Sequence, residues 1–382
     1  MSPAVRVRPL VERPRPVPVG AIERELGDLL RTAAEQLERP VTRARTITLV
    51  AFAPGPAEGE RLIEVVARTS ERHPARAIIL VVDPGAPDLQ AAVAAHGTAV
   101  GAERQQVVSE QIILRAPRQA LGRLTSLVRH LILPDMPVYL YWPAPVTWDG
   151  LLLELLDLAD RLVLDSAAFP DGAAGLADVA RVVSAPPAPV AVSDLSWGRL
   201  TVWRGVTAHC FDPPHAGYLD RIERVRLTHA ASSRVQALLY VGWLASRLLW
   251  RVREPFAREA EVWRAVLTDP QGDPVTVALH PDPTSRLPAG ALLLALIVAA
   301  GGQATFSIAG TEDRRALLAS VTLEDGWTSR RLVPLEAPDE VSLLSAELDV
   351  HGHDRVYEES LRALLPLLEP AARRRSGEES AG

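Results

Sequence analysis

The residues able to do chemistry are few and scattered. His351-Gly-His353-Asp354 places two imidazoles and a carboxylate together, enough for part of a metal site. Asp354, however, stands just before a helical run and reads as its cap, accepting from first-turn backbone N–H groups. His209, Cys210 and His215 supply further donors, but their spacing, in a helix and the loop after it, fits no common zinc site. No metal is expected. Arg72-His-Pro-Ala-Arg76 precedes a buried strand, and guanidinium groups can hold a phosphate bidentately. With Arg115 and Arg161 these form a candidate anion-binding set near the C-terminal ends of parallel strands, where α/β folds bind ligands. The plainer alternative is solvated surface arginine. The acids Asp160 and Asp165 are too ordinary a pair to signify catalysis. No GxGxxG follows a strand, and neither GxSxG nor HExxH occurs.

Composition excludes more. All 41 basic residues are arginine, so a Walker-A loop, a pyridoxal Schiff base and a lysine general base all lack their ammonium. Cys210 is the one cysteine, which rules out an internal disulfide or a CxxC pair and suits a reducing compartment or indifference to redox. The net charge of −6 is spread along the chain and gives no footprint for nucleic acid. No apolar h-region opens the sequence. The longest apolar run, 289–300, is too short to span a bilayer. The expectation is a cytoplasmic, soluble protein that needs no cofactor and touches neither nucleic acid nor membrane.

These residues need elements to position them, and 382 residues suggest two domains. Residues 1–17, rich in proline and arginine, read as a flexible arm. From 18 to 183 strand and helix alternate. Ile22, Leu26, Leu29, Leu30, Ala33 and Leu37 mark an amphipathic helix. Continuously apolar runs at 77–82 and 138–142 suit strands buried on both faces of a parallel sheet. The pattern predicts a doubly wound, mostly parallel α/β domain. Proline-rich 184–192 reads as a linker. Residues 193–371 then predict an α+β domain, an antiparallel meander with helices on one face, its joins marked by turns such as Glu324-Asp-Gly326. Helical runs at 339–348 and 354–368 close it, and 372–382 is a frayed tail.

One stretch organises the second domain. Ser193 and Asp194 signal a helix start, and Leu200, Trp203, Val206 and Cys210 follow at helical spacing as an apolar stripe. Trp197, Thr201, Arg204 and Ala208 make a second stripe. On a helix at 233–250, Tyr240, Trp243, Arg247 and Trp250 share a face, while Gly242 and Ser246 would let another helix approach closely. Two readings fit: buried helices at a domain junction, or a partner surface, since Trp and Arg are enriched in interface hot spots. The second makes Asp194, Trp197, Arg199, Trp203, Arg204, Trp243, Arg247 and Trp250 candidate partner-binding residues.

Taken in order, several blocks carry a resemblance. They are Arg72-His-Pro-Ala-Arg-Ala-Ile78, Glu110-Gln-Ile112, Leu133-Pro-Asp-Met-Pro-Val-Tyr-Leu-Tyr-Trp142, and Asp160-Arg-Leu-Val-Leu-Asp-Ser166. Asp194-Leu-Ser-Trp-Gly-Arg-Leu-Thr-Val-Trp-Arg204 and Gly242-Trp-Leu-Ala-Ser-Arg-Leu248 complete the set. Together they resemble the OpcA family of glucose-6-phosphate dehydrogenase assembly proteins, found in cyanobacteria and actinobacteria. The resemblance implies a non-enzymatic protein that binds glucose-6-phosphate dehydrogenase, promotes its active oligomer and raises flux into the oxidative pentose phosphate pathway. Two departures stand out: cyanobacterial relatives are associated with thiol control, which Cys210 alone cannot provide internally, and Ala75 replaces an expected serine. The lysine-free, Arg/Ala/Pro-rich composition suits a high-GC actinobacterial relative. Other classes stay open: a sugar-phosphate- or nucleotide-binding enzyme or sensor using the arginines of the α/β domain, or a self-associating structural protein.

Overall fold

The computed structural model describes residues 8–9, 14–37, 41–43, 46–100, 105–148, 150–185, 190–231, 233–288, 291–336, 338–350 and 352–369. Contacts divide the chain into two units that are discontinuous in sequence: 1–165, 190–193 and 339–352 in the first, and 166–189, 194–338 and 353–382 in the second. The continuously apolar runs form the inner strands of the first unit. Its sheet runs, in spatial order, Arg8–Pro9, Gln90–Val100, Gln105–Ala116, Ala75–Val82, Ile47–Ala53, Val138–Trp142, Arg161–Leu164 and Ala191–Asp194. Pairing is parallel from Gln105–Ala116 through Arg161–Leu164. Ile47–Ala53, Ala75–Val82 and Val138–Trp142 are buried at every position, which requires cover on both faces. On one face Arg76 and Glu110 meet the helices Ile22–Leu37 and Leu121–Leu131; on the other, Ser109 and Gln111 meet Pro56–Ser70. The domain is doubly wound, as its sequence pattern predicts.

Three boundaries differ from that reading. The described part of the N-terminal arm is not free, because Arg8–Pro9 and Arg15–Val17 pair antiparallel with Gln90–Val100. The expected linker at 184–192 ends inside a strand, Ala191–Asp194, at the outer edge of the first sheet. Helix Glu340–Leu348 belongs to the first unit although it lies late in the chain. Tyr141 Oη donates to Glu340 at 2.6 Å, and Arg68 reaches Asp339 at 3.0 Å. Residues 1–7 and 10–13, the Gly101-Ala-Glu break, His351 and the 372–382 tail lie outside the described residues.

The second unit holds the antiparallel sheet with helices. Its order is Arg251–Glu259, Val262–Thr268, Pro274–Asp282, Ile222–Ala230, Leu292–Ala299, Ala304–Gly310, Ala316–Leu323 and Thr328–Pro334. It is not the simple meander expected. Ile222–Ala230, unassigned in the sequence reading, lies between two strands and pairs parallel with one of them, Pro274–Asp282. Val225 and Leu227 point inward while Arg224 and Arg226 are exposed, the alternation of a one-sided strand. Helices Thr201–Cys210 and Val235–Arg247 pack against the sheet.

Helix Val235–Arg247 also packs on helix Arg355–Leu368, with Gly242 facing the second helix's backbone. A Cβ there would lie 2.5 Å from the Ser360 carbonyl oxygen and 3.1 Å from Leu364 Cβ. This is the close approach that Gly242 and Ser246 imply, and Ser246 Oγ meets Ser360 Oγ at 3.5 Å. Gly242→Ala therefore gains helix propensity of about 1 kcal/mol but loses more to overpacking against a backbone that cannot yield, typically 1–3 kcal/mol. The expected net result is about 1 kcal/mol of destabilisation in a urea titration. A more stable Gly242→Ala protein would show that the helices can move apart.

Candidate functional site

In a doubly wound sheet the ligand crevice lies at the C-terminal ends of the strands where the winding reverses. Here that point is between Ile47–Ala53 and Val138–Trp142, since successive connections leave these strands in opposite directions. Two aromatic residues stand side by side near the ends of these strands. Phe52 and Trp142 stack with ring centroids 3.8 Å apart and planes 6° from parallel, and Trp142 Nε1 donates to Pro145 O at 3.3 Å. The next helix, Pro56–Ser70, could offer its N-terminus to a phosphate, but Glu58 sits in the first turn and its Oε2 lies 2.9 Å from where a Gly55 Cβ would be. A carboxylate at that end already complements the helix dipole and opposes an incoming anion. An acid thus stands at the helix N-terminus where a dinucleotide phosphate would need bare N–H groups.

The candidate anion-binding arginines do not converge. Arg72, Arg76 and Arg161 lie at the N-terminal ends of their parallel strands, and Arg115 alone lies near a C-terminal end. This corrects the expectation that all four line the ligand-binding edge. Each also has a structural contact. Arg76 is 2% exposed and donates to Glu110 at 2.9 Å, to Glu23 at 3.1 Å and to Leu131 O at 3.0 Å. Burial alone would lower its pKa, but the Glu23 hydrogen bond and the Glu110 charge outweigh burial and raise it. Arg115 pairs with Glu60 at 2.5 Å, exposed Arg72 reaches Asp349 at 3.7 Å, and buried Arg161 donates to Ser193 Oγ. Position 76 is a buried ion cluster, and its Arg-His-Pro context gave no sign of that.

The Asp194–Phe211 stretch is two helices, not one. Leu200, at φ −86° and ψ −4°, separates Leu195–Arg199 from Thr201–Cys210. The apolar stripe holds across the break, with Leu200, Trp203, Val206 and Cys210 all buried. The break changes the phase of the second stripe. Trp197 turns inward to 3% exposure, and Arg204 lays its guanidinium carbon 3.4 Å from the Trp197 ring centroid. Such a cation–π contact is worth roughly 1–2 kcal/mol when partly desolvated. Trp197 Nε1 donates to Asp354 Oδ2 at 3.0 Å, and its ring lies 5.5 Å from that of Tyr357. Asp354 does cap its helix, accepting from Tyr357 N at 3.0 Å.

Asp194 ties this corner together. Fully buried, it accepts from Ser196 N at 2.8 Å, from Ser166 N at 3.0 Å, from Ser166 Oγ at 2.5 Å and from Tyr357 Oη at 3.4 Å. Tyr357 was missed by the sequence reading; its signal was its place in the first turn after a capping aspartate. Asp194, Trp197, Trp203 and Trp250 are thus internal, correcting the expectation that they stand on a partner surface. Buried indoles and a capping carboxylate satisfy one another here, which explains the Trp/Arg spacing without a partner. Of the remaining candidates, Arg199 donates to Ser196 Oγ at 3.3 Å, Trp243 is half-buried against Tyr240, and exposed Arg247 pairs with Glu359.

Cys210 and His209 line a pocket of about 340 Å³ with His215 and Arg331. Burial pushes the Cys210 thiol up to about 11, only partly opposed by Arg331, so the thiolate is scarce at neutral pH. His209 Nδ1 is bonded to Gly205 O at 2.7 Å, and His353 Nδ1 contacts Glu358. No group of three or more metal-ligating side chains forms among the described residues, and no helix among them is long and apolar enough to cross a membrane.

Comparison with known proteins adds to this geometry. A family model for the C-terminal domain of a glucose-6-phosphate dehydrogenase subunit matches residues 190–361. A second, for the N-terminal domain of such a subunit, matches residues 66–181. A protein of Synechocystis sp. named OxPP cycle protein OpcA is 28% identical over 360 residues, covering 90% of this chain and 74% of its own. The protein of that name from Nostoc punctiforme is 33% identical over 147 residues, covering 38% of this chain and 31% of its own. Among solved structures, an NAD-binding protein from Listeria innocua aligns over 87% of this chain and 96% of its own, at a TM-score of 0.46 and 10% identity. A likeness of that size carries no functional argument.

Proposed function

The chain belongs to the OpcA family, and from that premise we propose that it is a non-catalytic partner of glucose-6-phosphate dehydrogenase. It binds the enzyme, promotes its active oligomer and so supports the oxidative pentose phosphate pathway. One observation carries the reading above the others: both halves of the chain match models of domains of a glucose-6-phosphate dehydrogenase subunit. Two features of the first unit support it. Glu58 stands at the helix N-terminus beside the winding reversal, where a phosphate would otherwise sit, and the arginines that could have held a sugar phosphate point to separate places. The Asp194–Trp197–Arg204 corner then serves as internal glue.

The chain alone should show no turnover of glucose 6-phosphate with NADP, nor of 6-phosphogluconolactone, above a heat-killed control. Calorimetric titration with sugar phosphates and NADP should show no binding. Added to the dehydrogenase, the chain should raise its rate, and a Cys210→Ser variant should do so equally under oxidising and reducing conditions. Turnover by the chain alone, or saturable binding of a sugar phosphate, would favour an enzyme or sensor instead.

A further inference from the structure

The sheet of the second unit has one face packed by helices, and its other face is open. On the packed side Val225, Leu227, Ala295, Ile297, Phe306 and Ile308 are buried. Alternate residues on the opposite side are half-buried or exposed from Val262–Thr268 to Thr328–Pro334. The registers join them into rows. One runs Thr228, Leu294, Ala309, Leu318, Leu332. The next runs Arg264, Ala278, Arg226, Leu296, then Ser307, Ser320, Arg330. A third crosses Arg224, Val298, Thr305 and Thr322. Leu318 is 36% and Leu332 63% exposed although they pair directly across the outer strands.

Charge within these three rows has one sign. The three rows carry arginines 224, 226, 264 and 330 and no carboxylate, in a chain whose net charge is −6. Arg224 and Arg264 are paired from outside the rows, with Glu223 at 3.2 Å and Glu259 at 2.9 Å. Arg226 and Arg330 have no ion-pair partner among the described residues. His280, on the same side, is held below the usual imidazole range first by burial and then by Arg226 and Arg264.

We infer that this open face is the docking surface for a partner protein whose matching surface is flat, apolar at its centre and studded with carboxylates. The inference rests on the proposed function, and the partner it commits to is the dehydrogenase. Seven strands at about 4.8 Å and three rows at about 7 Å cover roughly 30 Å by 20 Å. Apposing a partner there buries about 1,200 Å² in total, the lower end of a specific interface. Leu294, Leu296, Leu318 and Leu332 leave apolar surface at the centre of this face, bordered by serine, threonine and arginine, and apolar surface rimmed by polar residues marks an interaction site. A second copy of the chain fits less well, because face-to-face pairing sets Arg226 and Arg330 against rows that carry no carboxylate, and like-charge contacts are costly.

The test uses the full chain and purified glucose-6-phosphate dehydrogenase. Leu332→Glu and the double variant Arg226→Glu/Arg330→Glu alter exposed side chains, so circular-dichroism melting should stay near that of the parent chain. Dehydrogenase binding should weaken at least tenfold in both, and raising salt should weaken binding of the parent chain. If the parent chain binds and both folded variants bind as tightly, this face is not the site, while the proposed function stands. If the parent chain does not bind the dehydrogenase at all, the proposed function fails and this assignment with it. If the parent chain is a dimer that Leu332→Glu dissociates, the face is occupied by a second copy and the inference is overturned.

Discussion

Asp194→Asn is expected to destabilise the protein by about 3 kcal/mol and to lower its melting temperature by roughly 4 °C. The aspartate is fully buried, and its two oxygens accept from Ser166 N, Ser196 N, Ser166 Oγ and Tyr357 Oη. An amide keeps the shape and, with its oxygen at the Oδ1 position, both backbone N–H bonds, but the charge that strengthens all four bonds is lost and the Ser166 and Tyr357 hydroxyls must turn to accept from the NH₂ group. Charge-assisted bonds of this kind contribute about 1.5–3 kcal/mol each, more than neutral ones. Differential scanning calorimetry checks it. Per folded molecule, dehydrogenase binding should be unchanged, because Asp194 holds the corner and touches no outside surface. If melting is unaffected while binding falls, the motif is a recognition element after all.

Arg76→Leu is expected to cost about 3–5 kcal/mol, the usual penalty for breaking a buried ion pair by removing one partner. The Glu110 side chain is 0% exposed, and Arg76 supplies its counter-charge at 2.8 Å. Replacing both residues with leucine should recover most of the loss, since well-packed apolar pairs often match buried ion pairs in stability. Chemical denaturation of the parent, single and double variants measures this directly. A stable Arg76→Leu protein that no longer binds a sugar phosphate would instead restore the anion-binding role suggested by the Arg-His-Pro-Ala-Arg context.

These two residues show where sequence reading stops. The runs 77–82 and 138–142 were legible as inner strands because a parallel sheet leaves no exposed position to break the apolar pattern. Leu200, Trp203, Val206 and Cys210 were legible because helical period survives a one-residue break, and Gly242 because a glycine inside a helix costs stability and needs a reason. Ile222–Ala230 was overlooked because Glu223, Arg224 and Arg226 dominate its composition, although Val225 and Leu227 alternate with them. Whether an arginine is solvated or buried depends on what crosses over it, and Glu23, Glu110 and Leu131 come from three separate segments. The unit boundaries were hidden for a related reason. The chain leaves the first unit at Asp165 and returns at 190–193 and 339–352, and no local composition marks a return.

The proposed role is to act on glucose-6-phosphate dehydrogenase without any chemistry of the chain's own. Multi-angle light scattering of the dehydrogenase, the chain and their mixture, with the specific activity of each eluting peak, tests it in one measurement. A mixed peak containing both proteins is expected, with the dehydrogenase in its larger oligomer and more active per protomer than in the enzyme-only run. Two separate peaks, with the dehydrogenase unchanged in mass and activity, would contradict it.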